Sequence, residues 1–185
     1  MRREIIEIAN NLYKKYGSDD LHFIVSKLKA HLFEIPLGKI VKEVYFKDLK
    51  AIVIDPNLHF YRKRHLICHA LGHHLLHQGK KTNYFIDLDK NFYEGLKVRE
   101  IEKEAEMFAA FFLIPEEKLN AILKEDWIKE SPDPVLELSE EFQVPPDLIR
   151  KRLEFERLAM QTNPLYKNIL AKDPVYFEEK IIEIE

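Results

Sequence analysis

The sequence predicts an α+β fold, mostly helical, with a small and largely antiparallel β-sheet beside one histidine-rich helix. Three observations lead there. The 185-residue chain holds only five Gly, with 46% hydrophobic and 33% charged residues, which suits a compact, helix-rich protein able to bury a substantial core. Residues 62–77, RKRHLICHALGHHLLH, repeat His65, His69, His73 and His77 at intervals of four, stacking the imidazoles along one face of a helix. Three segments rich in β-branched and aromatic residues, HLFEIPL, KIVKEVYF and KAIVID, lie between His31 and Asp55, and the last two flank Lys47-Asp48 as the arms of a hairpin would.

Residues 2–16 read as an amphipathic helix, with Ile5, Ile6, Ala9, Leu12, Tyr13 and Tyr16 at helical spacing and Gly17 as its stop. Ser18-Asp19-Asp20 then caps a second helix reaching about Ala30. After the three strands, Asp55-Pro56-Asn57 turns the chain into the histidine helix, from about Phe60 to His77. Its other faces carry Leu66, Ile67, Cys68, Leu71, Leu75 and Leu76, so it should be central and largely buried. Gly72 inside it costs about 1 kcal/mol relative to Ala, which implies that another backbone or a substrate passes close by. From 79 to 97 the periodicity fails and a loop is expected. Residues 98–114 form another helix, with Ile101, Ala105, Phe108, Ala109 and Phe112 along one side and Pro115 at its end. A helix over 116–130 follows. Ser131-Pro132-Asp133-Pro134 is the clearest linker signal, dividing the chain into residues 1–130 and a helical extension, 131–185, packed on them. That extension holds VLELSEEF and DLIRKRLEFERLAM, joined by Gln143-Val144-Pro145-Pro146, and a tail of short helices.

Charge and composition exclude several functions. The net charge of −3 gives no general case for nucleic acid. The helix-turn-helix spacing of residues 135–160 does not supply one, because Arg150, Lys151, Arg152 and Arg157 are interleaved with Asp147, Glu154 and Glu156. No apolar run is long enough to span a membrane, and the first helix lacks the uninterrupted apolar core of a signal peptide. Cys68 is the single cysteine, so no intramolecular disulfide can form and a cytoplasmic setting is expected. It reads as a buried structural thiol. Arg62, Lys63, Arg64, Lys80 and Lys81 lie in a stretch, 56–86, without an acidic residue; they form either a solvated rim or a surface that steers an acidic peptide.

The histidine row carries the chemistry. Each step of four rises about 6 Å, and zinc–nitrogen bonds are about 2.0–2.1 Å, so one ion can bridge two neighbouring imidazoles but not three. Spacing alone leaves the pair open and also fits core histidines. Glu102, in the following helix, would complete two imidazoles and a carboxylate, the open three-ligand arrangement of catalytic zinc. It shares a face with Ala105, Glu106 and Ala109, small alanines that let the helices approach, whereas Glu104 points elsewhere. A third-His metzincin pattern fails, since Gly79 stands at that position.

Residues 62–77 together with EKEAEMFAAFFLIP at 102–115 resemble the two signature blocks of the ImmA/IrrE family of metallopeptidases, HELGH and ExxA..FA..LL.P. The resemblance implies a zincin-like, gluzincin-type peptidase fold holding one zinc ion on His69, His73 and Glu102. It also implies action on a partner protein such as a transcriptional repressor. Glu106 is then a candidate acceptor for an imidazole N–H, and His77 and His65 are further second-shell or substrate-contacting candidates. The departure lies at Ala70. In HExxH sites the residue after the first His is the glutamate that takes a proton from metal-bound water, so this chain keeps the ligands and lacks the base. The expected protein is a zinc peptidase of impaired activity; the alternative is a pseudopeptidase or regulator that binds a partner protein without cutting it or, as the lesser option, binds DNA through the C-terminal helices.

Overall fold

The computed structural model describes residues 2–79, 84–88, 96–159 and 164–175. The chain divides into two compact units, Met1–Leu113 and Ile114–Glu185.

In the first unit, α1 (Arg2–Tyr16) buries Ile5 and Ala9 and ends where Gly17, at φ +68°, donates its N–H to the Tyr13 carbonyl over 2.7 Å. Asp20 caps α2 (Leu21–Lys27) by accepting from the Phe23 N–H at 2.9 Å. That helix stops short of the expected Ala30, because Lys29 adopts a left-handed φ of 60° and turns the chain into β1 (His31–Glu34). Next, β2 (Val41–Phe46) and β3 (Ala51–Ile54) form the expected hairpin, closed by Lys50 N–H donating to the Lys47 carbonyl at 3.1 Å. All of AIVI in β3 is buried, as suits a strand paired on both sides.

The sheet order is β1-β3-β2-β4, with β4 at Tyr84–Leu88. Pairings β2–β3 and β2–β4 are antiparallel and β1–β3 is parallel. The strand β4 corrects the expected loop over 79–97: the aromatic and branched residues of YFIDL give the backbone a partner in β2, although polar neighbours break the pattern around them. The rest of that expected loop, 80–83 and 89–95, lies outside the described residues.

Helix α3 (Phe60–Leu76) contacts β2, β3 and α2 and makes its largest interface with α4 (Leu96–Leu113), which also receives α1. Every residue from Arg64 through His74 is buried, so α3 is a core helix carrying an imidazole row. The basic rim is correspondingly reduced. Arg64 is buried, Lys63 pairs with Glu34 at 2.7 Å, and Lys80 and Lys81 fall outside the described residues.

In the second unit, the expected helix over 116–130 is two helices, α5 (Glu116–Ile122) and α6 (Asp126–Glu130). The Ser131–Pro134 sequence is the start of another rather than a boundary between units. Asp133 accepts from the Leu136 N–H at 3.0 Å and Pro134 occupies the first turn of α7 (Pro134–Phe142). Helices α8 (Pro146–Ala159) and α9 (Pro164–Ala171) follow. On α8, Arg152 is fully buried and its Nε–H donates to the Ile114 carbonyl at 3.0 Å, while Arg150 is ion-paired with Asp173. Two cations that a phosphate-binding face would need are therefore engaged within this unit. No helix of the described residues is long and apolar enough to cross a membrane.

Gly72 meets the close approach its sequence position implied. A Cβ built there would stand 2.8 Å from the Ala105 Cα and 3.0 Å from its carbonyl oxygen, both backbone atoms of α4. Ala is the better helix former by about 1 kcal/mol. Backbone overlap nevertheless dominates, and Gly72→Ala should lose about 1–3 kcal/mol of stability by urea unfolding. A variant as stable as the parent would show that α3 and α4 can separate freely.

Candidate metal centre

Two helices and one strand deliver the polar groups. From α3 come His69 and His73, ring centroids 4.7 Å apart and nearly perpendicular. From α4 comes Glu102, and from β2 comes Glu43. His69 Nε2 lies 3.2 Å and His73 Nε2 3.3 Å from one and the same oxygen, Glu102 Oε2. Among the described residues, His69, His73 and Glu102 form the group able to hold a metal ion. Of the three side chains, Glu102 is the most open at 16% exposure, against 6% and 0% for the imidazoles.

The spacing suits a shared cation as well as it suits long hydrogen bonds. Donors at the corners of a tetrahedron with bonds of about 2.0–2.1 Å stand about 3.3–3.4 Å apart. Charge-assisted N–H···O contacts are shorter, about 2.7–2.9 Å. The two contacts to Glu102 match the tetrahedron edge. Two neighbouring His–Glu pairs in the same helix interface, His65 Nε2 to Glu106 at 2.8 Å and His77 Nε2 to Glu104 at 2.9 Å, match the hydrogen bond.

His73 has a partner on each side. Its Nδ1 faces His77 Nδ1 at 2.9 Å, and its Nε2 faces Glu102 at 3.3 Å. His77 Nε2 in turn faces the Glu104 carboxylate at 2.9 Å. Burial pulls His73 down to about 4 despite the pull of Glu102, so the ring is neutral near pH 7.

His69 differs. Burial alone would lower it, but Glu102 and Glu43 outweigh burial and hold its imidazolium form well above the usual range. Glu102 is raised by burial and lowered by more through both imidazoles, ending at about 2. The donor set therefore fits zinc. His69 Nε2, His73 Nε2 and Glu102 would hold the ion, with His69 Nδ1–H given to Glu43 at 3.1 Å and His73 Nδ1–H given through His77 to Glu104.

The remaining candidates sort as follows. His77 joins the chain behind His73. Glu106 accepts from an imidazole, that of His65, whose Nδ1 faces the Arg62 guanidinium at 3.0 Å; neither touches the central group directly. Glu104, expected to point elsewhere, reaches His77. Glu43 was missed altogether, although it shares strand parity with the buried Tyr45, a usable signal that it faces inward. His74 is a core imidazole. It donates from Nε2 to the Leu28 carbonyl at 3.0 Å and accepts at Nδ1 from the Tyr45 hydroxyl at 2.7 Å. Cys68 is enclosed, and burial pushes its thiol pKa up. Ala70 is also fully enclosed.

The family model of the IrrE N-terminal-like domain, Peptidase M78, matches residues 25–154 and so takes in the sheet, α3 and α4. No curated protein matches the chain.

Metal content should follow the three converging side chains. Purified protein should carry about one zinc-like ion per chain, read by elemental analysis. His69→Ala or Glu102→Ala should lose it, while His65→Ala should keep it. Undiminished metal in both ligand variants would remove the assignment.

Proposed function

This chain belongs to the IrrE N-terminal-like family of M78 peptidases, and from that premise we propose that it is a zinc peptidase-like protein directed at a regulatory partner protein, with its own hydrolytic step disabled at Ala70. The observation that carries the reading is the convergence of His69 Nε2 and His73 Nε2 on one oxygen of Glu102, at 3.2 and 3.3 Å. A transcriptional repressor is the partner class we propose, and the cytoplasm, where a lone buried thiol such as Cys68 stays reduced, is the compartment.

Zinc bound at this centre would supply Lewis-acid polarisation of a peptide carbonyl. The chain's own part is to orient and to exclude water. Glu43 and the His77–Glu104 pair hold the two imidazoles in the tautomers that present Nε2. In this reading the substrate backbone approaches from the side of Glu102, the most exposed of the three. What the chain does not provide next to His69 is a group to take a proton, since Ala70 carries a methyl there. A general base contributes about 10²–10⁴-fold, so turnover should fall by that order. Ala70 also favours the second reading, a non-catalytic regulator that grips its partner through the same cleft.

Ala70→Glu separates the two. Because Ala70 is fully enclosed, the glutamate must displace its neighbours, so folding and zinc content are checked first. Parent and variant are then incubated with a native proteome extract of the source cell, and new N-termini are read by mass spectrometry. The peptidase reading expects a few chelator-sensitive cuts that are at least ~10²-fold faster in the variant. A folded, zinc-loaded Ala70→Glu protein that cuts nothing would leave the binding reading in its place.

A further inference from the structure

We propose that Glu43 is a positioning residue of the metal centre, the charged acceptor that fixes His69 and half of the negative charge that matches a divalent ion. The inference rests on the zinc reading above and deepens it. Glu43 sits in β2 with no exposure to solvent, among a run of buried strand residues that otherwise reads Val44 and Tyr45. A carboxylate in such a place is costly unless it is paired. Its Oε2 lies 3.1 Å from His69 Nδ1, the ring nitrogen opposite the one that faces Glu102.

The strand is shaped to aim it. Between Val41 and Glu43 the β2–β4 register slips, two residues of β2 advancing against one of β4, from Val41↔Leu88 to Glu43↔Asp87. Such bulges bend a strand locally and redirect side chains. Two residues on, Tyr45 makes the equivalent contact from the same strand face to His74. The inward face of β2 therefore fixes two imidazoles of α3, but only the one in the converging group receives a carboxylate.

Charge supplies the rest of the argument. Two carboxylates, Glu43 and Glu102, flank the His69 ring at 3.1 and 3.2 Å, a concentration of acidic oxygens that suits a divalent cation. A glutamine at 43 would keep the shape and an N–H acceptor but not the charge, and an alanine would keep neither.

Zinc affinity of the metal-free parent, Glu43→Gln and Glu43→Ala, measured by competition with a chromophoric chelator, tests this alongside thermal unfolding of each metal-free protein. Glu43→Ala should bind zinc about 10–100-fold more weakly, with Glu43→Gln between it and the parent. Glu106→Gln, which alters the His65 pair, should bind as the parent does. In the zinc-loaded parent, imidazole ¹⁵N spectra should show His69 as the Nδ1–H tautomer, and that signal should broaden or shift in the alanine variant. Should either variant fail to fold, Glu43→Asp, which retracts the charge by one methylene, is read in the same way. Variants that melt lower yet bind zinc within threefold of the parent would make Glu43 merely structural and overturn the proposal. A parent that binds no zinc would instead remove the metal reading beneath it.

Discussion

Where α3 crosses α4, Gly72 leaves no room for a side chain, and the Ala105 backbone of α4 occupies the space. That contact sets the distance from which Glu102, Glu104 and Glu106 of α4 address the histidine row. Glu102 reaches His69 and His73, which straddle Gly72, while Glu106 reaches His65 and Glu104 reaches His77. A helix interface spaced by leucines would leave these carboxylates short of their imidazoles. The small residues are thus the condition for the polar ones, which explains why a glycine persists in a helix buried from Arg64 to His74.

A row of imidazoles in a hydrophobic core is tolerable only if each ring has partners, because a half-satisfied buried network is worse than an apolar one. Here each ring has them: Glu106 for His65, Glu43 and Glu102 for His69, Glu102 for His73, Glu104 for His77, and the Tyr45 hydroxyl with the Leu28 carbonyl for His74. Two of these contacts, His69 Nε2 and His73 Nε2 to a single Glu102 oxygen, are the ones a shared ion would join.

Much of this was legible in the sequence because it is local. The four-residue period fixed the histidine face, Gly17, Asp20, Asp133 and Pro134 marked helix ends, and the pairing of β2 with β3 followed from the short turn between them. What escaped is long-range. The parallel pairing of β1 with β3 and the strand β4 depend on which backbones meet across the sheet, and YFIDL is too short to announce itself among polar neighbours. Glu104 lies about 200° around α4 from Glu102, so a helical wheel turns it away. Its partner His77 stands at the C-cap of α3, where the wheel no longer applies. Glu43 is one acidic residue in a six-residue strand, and nothing in VKEVYF reveals that a helix histidine waits opposite; only its parity with Tyr45 hints at it.

X-ray absorption at the zinc edge of the loaded protein measures the centre itself. The account predicts four nitrogen or oxygen neighbours at about 2.0–2.1 Å, outer-shell scattering from two imidazoles, and no sulfur, because Cys68 is buried away from the group. A sulfur neighbour at about 2.3 Å, a six-coordinate oxygen shell, or the signature of a single imidazole would contradict it.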